Sequence, residues 1–279
     1  MVWTVIWWTL AWTRFSWMEP LQPHTFTPLW LGYIVVVNAW TFTRTGRCMM
    51  LHRPRYFFPL FPLSAVFWWF FEYLNRFVQN WYYVGVTDLS PLEYFLRATI
   101  SFSTVLPAVM GTAEWLSTFP YFAVRSDQVR PMMRGQGHVA GWIALGMASV
   151  GLGGIGLWPD YLFPLVWVAP TLIMVSLQDI REEFQRLGAN VKQNGGAMWQ
   201  GALAALICGW FWEMWNFKSL AHWEYAVPFV QRFHVFEMPL LGYAGYLPFG
   251  LECLVMADAC LTRKYSAGVA YYTEAERRP

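Results

Sequence analysis

The sequence predicts an all-α integral membrane protein of about eight transmembrane helices, arranged as a tandem parallel repeat of four plus four. Three observations carry that expectation. The 279-residue chain is 57% hydrophobic and 20% aromatic but only 13% charged, far more apolar than soluble domains of this size. Apolar runs approaching the roughly 20 residues of a membrane-crossing helix recur between charged or Pro/Gly-rich breaks. The stretch Trp69-Phe70-Phe71-Glu72-Tyr73-Leu74-Asn75 is echoed 141 residues later by Trp210-Phe211-Trp212-Glu213-Met214-Trp215-Asn216.

Taken in order, the first expected span covers residues 2–17. Its apolar start, Val2 to Trp12, lacks the basic n-region and small-residue cleavage pattern of a secretory signal, so it reads as retained. Because that run is short, an interfacial or re-entrant helix is the alternative. Spans at 25–42, 56–75 and 91–116 complete the first half, and spans at 138–157, 159–177, 196–217 and 237–261 form the second. The resulting organisation is a first membrane repeat at 1–120, a cytoplasmic linker at 121–137, a second repeat at 138–265 and a cytoplasmic tail at 266–279. Gln178 to Gly195, with its mixed charges and glycines, reads as a further cytoplasmic connection.

Basic residues set the orientation. Arg44, Arg47, Arg53, Arg55, Arg125, Arg130, Arg134, Arg181, Arg186, Lys192, Arg263, Lys264, Arg277 and Arg278 all fall on one side of these spans, fourteen of the nineteen present. The positive-inside rule makes that side, with both termini, cytoplasmic. An even number of spans per half gives both halves the same orientation. Short loops and few cysteines fit a bacterial inner membrane. Cys48, Cys208, Cys253 and Cys260 show no CxxC spacing and read as packing residues. A net charge of +2 without a basic stripe argues against nucleic acid as a partner.

The echo between the halves continues beyond its core. Trp81-Tyr82-Tyr83 answers Trp223-Glu224-Tyr225, Glu93 answers Glu237, and Leu106-Pro107 answers Leu247-Pro248. This topology places Glu72, Glu93, Glu213 and Glu237 at one depth near the non-cytoplasmic face, where four carboxylates are expected to converge. A carboxylate in the membrane is expensive unless paired, solvated or neutralised. Glu72 with Arg76 and Glu93 with Arg97 have the i,i+4 spacing of helical ion pairs, a structural reading that weighs evenly against a functional one. Glu213 and Glu237 have no such partner and are the expected acid and partner base, with Glu72 and Glu93 as the second pair.

Burial among Trp and Phe favours a protonated carboxyl, and aromatic faces stabilise a developing carbocation. Asn75 and Asn216, three residues after each Glu, are expected to orient the carboxyls or to bridge helices. Trp81, Tyr83, Trp223, Tyr225 and Trp212 are expected to line a substrate pocket, although interface anchoring explains most tryptophans. The histidines at 24, 52, 138, 222 and 234 lack metal-ligand spacing, so no metal and no cofactor are expected. His222 and His234 flank the second Trp-x-Tyr unit and are the only pair that invites a metal or quinone reading. Gly151, Gly153, Gly154, Gly156, Gly242 and Gly245 read as helix-packing positions.

The order of acid, Trp-x-Tyr and Pro-x-Glu at the head of the next helix resembles the lycopene cyclase domain of carotenoid synthesis. Its carriers are Glu72, Trp81, Tyr83, Pro91, Leu92, Glu93 and Phe95, then Glu213, Trp223, Tyr225 and Glu237, within residues 56–116 and 196–261. Glutamate stands at 72 and 213 where that family usually has aspartate. The resemblance implies a small helical unit occurring in pairs, whose acids protonate a polyene end and start ring closure without a redox cofactor. The expected activity is therefore cofactor-independent acid-catalysed cyclisation or hydration of an isoprenoid or carotenoid-type lipid, the membrane lipid or isoprenoid being the partner. Two other classes stay open: a non-catalytic accessory subunit with protein partners in a larger pigment- or quinone-containing membrane complex, and a lipid or small-solute transporter.

Overall fold

A computed structural model describes residues 2–13, 15–19, 21–121, 138–180 and 195–262, and the chain is mostly helical. Nearly all of the expected linker at 121–137, all of the tail at 266–279 and residues 181–194 of the expected loop lie outside the described residues. The main helices are α1 Val2–Thr13, α2 Phe26–Thr45, α3 Leu60–Val78, α4 Pro91–Phe102, α5 Val105–Ser117, α6 His138–Gly154, α7 Ala169–Ile180, α8 Gly195–Asn216 and α9 Tyr246–Ala257. Four short strands accompany them: β1 Trp81–Val84, β2 His222–Tyr225, β3 His234–Val235 and β4 Met238–Pro239.

Helix occupies every window where a span was expected, yet length and apolarity divide those windows. Among the described residues, two segments, Pro54–Val78 and Leu240–Leu261, are long and apolar enough to cross a membrane. A third joins them if Pro159–Trp167 and Ala169–Leu177, bent by 51° at their junction, count as one span. The expected span at 2–17 is only the 12 residues of α1, about 18 Å of helix and well short of the hydrocarbon core. Thr4 of α1 lies so close to Gly32 of α2 that a Cβ there would stand 2.7 Å from its hydroxyl.

Prolines explain where expected spans break. At the window 91–116, Pro107 cannot donate to the Ser103 carbonyl, and the helix divides into α4 and α5. Ser64 of α3 stitches the break: its hydroxyl donates to the Phe102 carbonyl at 2.6 Å and accepts from the Leu106 amide at 3.0 Å. In the bent segment, Pro170 removes the donor that a continuous helix would send to Val166, and the chain kinks at Val168.

Each half packs in the same pattern. The first helix lies on the second (α1 on α2, α6 on α7), the second on the last (α2 on α5, α7 on α9), and the third on the last (α3 on α5, α8 on α9). Between halves, α8 packs on α5, and Phe249 of α9 meets Phe67 and Phe71 of α3. Within the second half, α8 and α9 approach backbone to backbone, since a Cβ on Gly250 would lie 2.2 Å from the Gly201 carbonyl oxygen. Trp30, Phe71, Leu106, Trp215 and Phe249 are among the side chains fully buried in the resulting core.

Both third helices end under one two-stranded ribbon. β1 pairs antiparallel with β2 in the register Trp81 to Tyr225, Tyr82 to Glu224, Tyr83 to Trp223 and Val84 to His222. Exchanging each residue for its repeat counterpart maps the first three pairs onto one another. The ribbon therefore carries a local two-fold axis through the Tyr82–Glu224 pair, perpendicular to its strands. α3 and α8 both lead at their C-termini into this ribbon.

Candidate functional site

The site begins with the turn after each third helix. Asn75 sits one turn before the end of α3, which closes on Gln79 in the left-handed region (φ 50°) with its amide donating to the Asn75 carbonyl. The Asn75 side-chain amide donates to the Trp81 carbonyl at 2.7 Å, while its oxygen accepts from the amides of Asn80 at 2.8 Å and Trp81 at 3.3 Å. Asn216 repeats this on β2, donating to the Trp223 carbonyl at 2.7 Å and accepting from the Trp223 amide at 2.8 Å. Both asparagines therefore grip strand backbone rather than a carboxyl, correcting the expectation that they orient Glu72 and Glu213. Their indirect role remains, because the clamped strand carries the Trp and Tyr that reach the acid.

Glu72 is half-buried and its Oε1 accepts three hydrogen bonds: from Trp68 at 3.0 Å, Trp81 at 3.0 Å and Tyr83 at 2.5 Å. No ion pair joins Glu72 to Arg76 among the described residues, so the aromatic donors replace the expected salt bridge. Glu213 is completely buried. Its Oε1 accepts from Tyr225 at 2.7 Å and Tyr246 at 2.6 Å, and Trp223 donates to the Tyr225 hydroxyl at 2.8 Å. Its Oε2 has no hydrogen-bond partner.

The donors differ between halves through a paired exchange of size. Trp68 of α3 corresponds to Gly209 of α8, and Val105 of α5 corresponds to Tyr246 of α9, each 141 residues on. The Tyr246 ring fills the space above Gly209, where a Cβ would lie 2.4 Å from it. The second acid thus draws a donor from the last helix where the first draws one from its own helix. Trp68, Gly209 and Tyr246 were missed because the echo was read from matching residues, whereas these positions compensate by differing.

Two of the four expected acids are elsewhere. Glu93 is exposed and closes a capping box at the start of α4, its Oε2 accepting from the Ser90 amide at 3.0 Å and hydroxyl at 2.7 Å. That cap, not convergence with Glu72, accounts for it. Glu237 is half-exposed in the turn between β3 and β4, next to Phe236 at φ 58°, because the chain folds into a strand turn where a helix start was expected. No hydrogen bond joins Glu237 to Glu213, whose partners are Tyr225 and Tyr246. Trp212 is buried between Tyr246 and Trp30, packed beside the acid.

On the outer face of the ribbon, Tyr82 donates to Glu224 Oε2 at 2.5 Å, and His222 lies 3.4 Å from Glu224 Oε1. The Tyr82 hydrogen bond holds the Glu224 carboxyl below the usual carboxylate range, and the same bond pushes the Tyr82 hydroxyl up. His234 is exposed on β3. Among the described residues, no group of three or more His, Cys, Asp or Glu is placed to hold a metal. Cys48, Cys208, Cys253 and Cys260 are free thiols.

Among the described residues, three buried acids were not anticipated: Glu114, Glu252 and Asp258. Glu114 at the end of α5 accepts from the Met49 amide at 2.9 Å and anchors the loop after α2. Glu252 of α9 is 2% exposed, and neither of its oxygens has a hydrogen-bond partner. Glu252 stands 141 residues from Gly111 of α5, so an acid opposite a glycine was the available signal. Compared with known protein families, curated proteins and solved structures, the chain matches none.

Proposed function

We propose that this chain is an integral-membrane enzyme that cyclises or hydrates an isoprenoid or carotenoid-type lipid by acid catalysis, with no cofactor. In this reading eight helical segments form a parallel four-plus-four repeat in a bacterial inner membrane, termini cytoplasmic, related to the lycopene cyclase-like domains. The supporting observation is Glu213: a completely buried carboxyl with one oxygen fixed by two tyrosine hydroxyls and the other unpartnered. Burial favours the neutral acid, and the two O–H donors leave Oε2 as the oxygen to carry the proton.

The Oε2–H bond breaks as its proton forms a new C–H bond at the terminal double bond of the polyene, leaving a tertiary cation. The next double bond closes the ring, and a proton lost from the ring returns to the carboxylate, so cyclisation is a net isomerisation. In hydration, water adds to the cation and its released proton restores the acid. The rings of Trp212 and Trp215 on the same helix supply negative faces near the developing charge. Tyr225 and Tyr246 stabilise the carboxylate while the proton is on the substrate.

One observation favours the accessory-subunit reading: every hydrogen bond of Glu72 joins α3 to itself or to β1, which is a structural use of an acid. Incubation of the full chain in nanodiscs with polyene lipids in deuterated water separates the readings. Acid catalysis places one carbon-bound deuterium in the product, and the Glu213→Gln, Glu237→Gln double variant loses it. Undiminished turnover in that variant contradicts the enzyme reading, and an inert wild-type chain that co-purifies stoichiometrically with other membrane proteins favours the subunit.

A further inference from the structure

The bend in the second half opens a helix end beneath an acid. Among the described elements, α9 packs against α5, α7, α8, the turn 163–167, the turn Leu240–Gly245 and the π turn Asp258–Thr262. At the start of α7, the 51° break at Val168 leaves the first amides of that 12-residue helix outside the preceding turn. Pro170 contributes no N–H there, and the Leu172 amide is taken by the Val168 carbonyl. The Thr171 amide and hydroxyl face Glu252 without a hydrogen bond to it, and the Thr171 hydroxyl is itself buried and unpartnered. Helix N-termini carry partial positive charge, which draws a carboxyl to this position.

Among the described residues, no basic side chain lies on the helices packed against Glu252. The sequences of α5, α7, α8 and α9 contain no Lys, Arg or His. Among the described side chains, their ionisable groups are Glu114 on α5, Glu213 and Cys208 on α8, and Tyr246 and Cys253 on α9; the turn 163–167 has none, the turn 240–245 brings Tyr243, and the π turn brings Asp258 and Cys260. All are acids, phenols or thiols. An ionised carboxylate buried among apolar helices without a cation costs several kcal/mol, and binding a proton removes that cost. The first half has no counterpart: Gly111 stands at the position of Glu252, and Trp30 at that of Thr171. The divergence between halves has thus created a polar position in the interior of one half only.

We propose that Glu252, set against the opened N-terminus of α7, is a proton-binding site of the second half. It is separate from Glu213 and stands or falls independently of the lipid chemistry. Its proton is held while the site is dry. Deprotonation makes the carboxylate a full acceptor for the Thr171 amide and hydroxyl, tightening α9 onto the bent segment. Protonation state and bend are therefore coupled through one residue.

A hydrophobic carbodiimide tests this, because it adds only to protonated carboxyls in apolar surroundings. The full chain in nanodiscs is treated across a pH series, the adduct is mapped by peptide mass spectrometry, and a protonated-carboxyl infrared band is followed in parallel. The proposal expects an adduct at Glu252 at neutral pH, fading on alkalinisation, with an infrared band that Glu252→Gln removes. Thr171→Val, which keeps the residue's shape, should let labelling persist to more alkaline pH by removing a donor to the ionised form. Suppression of labelling by sodium at fixed pH and ionic strength would overturn the proposal in favour of a cation site. Absence of both the adduct and the Glu252→Gln-sensitive band would overturn it outright.

Discussion

Glu72 and Glu213 occupy equivalent places in the two halves and are used differently. Each ends a third helix under the same ribbon, and each is met by a Tyr from the adjoining strand. Glu72 spends Oε1 on three donors from its own half and stays half-buried, as a clasp between α3 and β1. Glu213 is sealed, ties α8 to both β2 and α9, and keeps one oxygen unpartnered. The difference goes with the exchange of Trp68 and Val105 for Gly209 and Tyr246, which leaves one fastening at the ribbon and turns the other toward the buried centre of its half. Same-helix arginines, which first distinguish the two acids in the sequence, contribute nothing to the difference.

The largest expected effect comes from undoing that exchange. Gly209→Trp drives a large ring into the space of Tyr246, and overpacking of this kind costs about 3 kcal/mol or more. Adding Tyr246→Val should recover part of the loss, giving a coupling of about 1–3 kcal/mol in a double-mutant cycle read by thermal unfolding in detergent. Additive effects would mean that the two positions do not compensate.

Removing the first clasp is next. Glu72→Leu leaves Trp68, Trp81 and Tyr83 without their shared acceptor and should lower stability by about 2–3 kcal/mol. The clasp account fails if unfolding is unchanged. Among the asparagines, Asn75→Ala loses three bonds and Asn216→Ala two, so losses of about 2 and about 1 kcal/mol are expected. Hydrogen exchange at the amides of residues 80–84 and 222–225 reports them strand by strand, and equal protection in both variants would contradict the ranking.

The smallest effect is a pH dependence at the two-fold axis. Glu224 titrates below its ordinary value in the folded chain, so its contribution is complete above the unfolded-state value and is lost as pH falls through the depressed one. Ribbon amides should exchange faster only in that acidic window, and Glu224→Gln should flatten the profile. A transition near neutral pH would assign the effect to another group.

Legibility in the sequence followed physical cause. Apolar runs placed some helix in each expected window, but among the described residues only two or three segments are long and apolar enough to span a membrane. The interruptions at Ser103 and Val168 needed attention to Pro107 and Pro170, whose missing donors act one turn upstream. The ribbon was hidden because Trp81–Val84 and His222–Tyr225 are only four residues each and pair across the two halves. Repeat comparison found the acids that match and overlooked Glu252, which has a glycine opposite. It also gave Glu93 and Glu237 a shared role, although one caps a helix and the other lies in a strand turn.

The division of labour between the two acids is tested most directly by turnover of a polyene lipid in Glu72→Gln and Glu213→Gln, measured side by side on folded protein in the same nanodiscs. The account predicts a fall of about 10²–10⁴-fold for Glu213→Gln, the usual contribution of a general acid. Glu72→Gln should stay within about threefold of wild type once folded, since the clasp does not touch substrate. Equal losses in both variants, or a greater loss in Glu72→Gln, would contradict it.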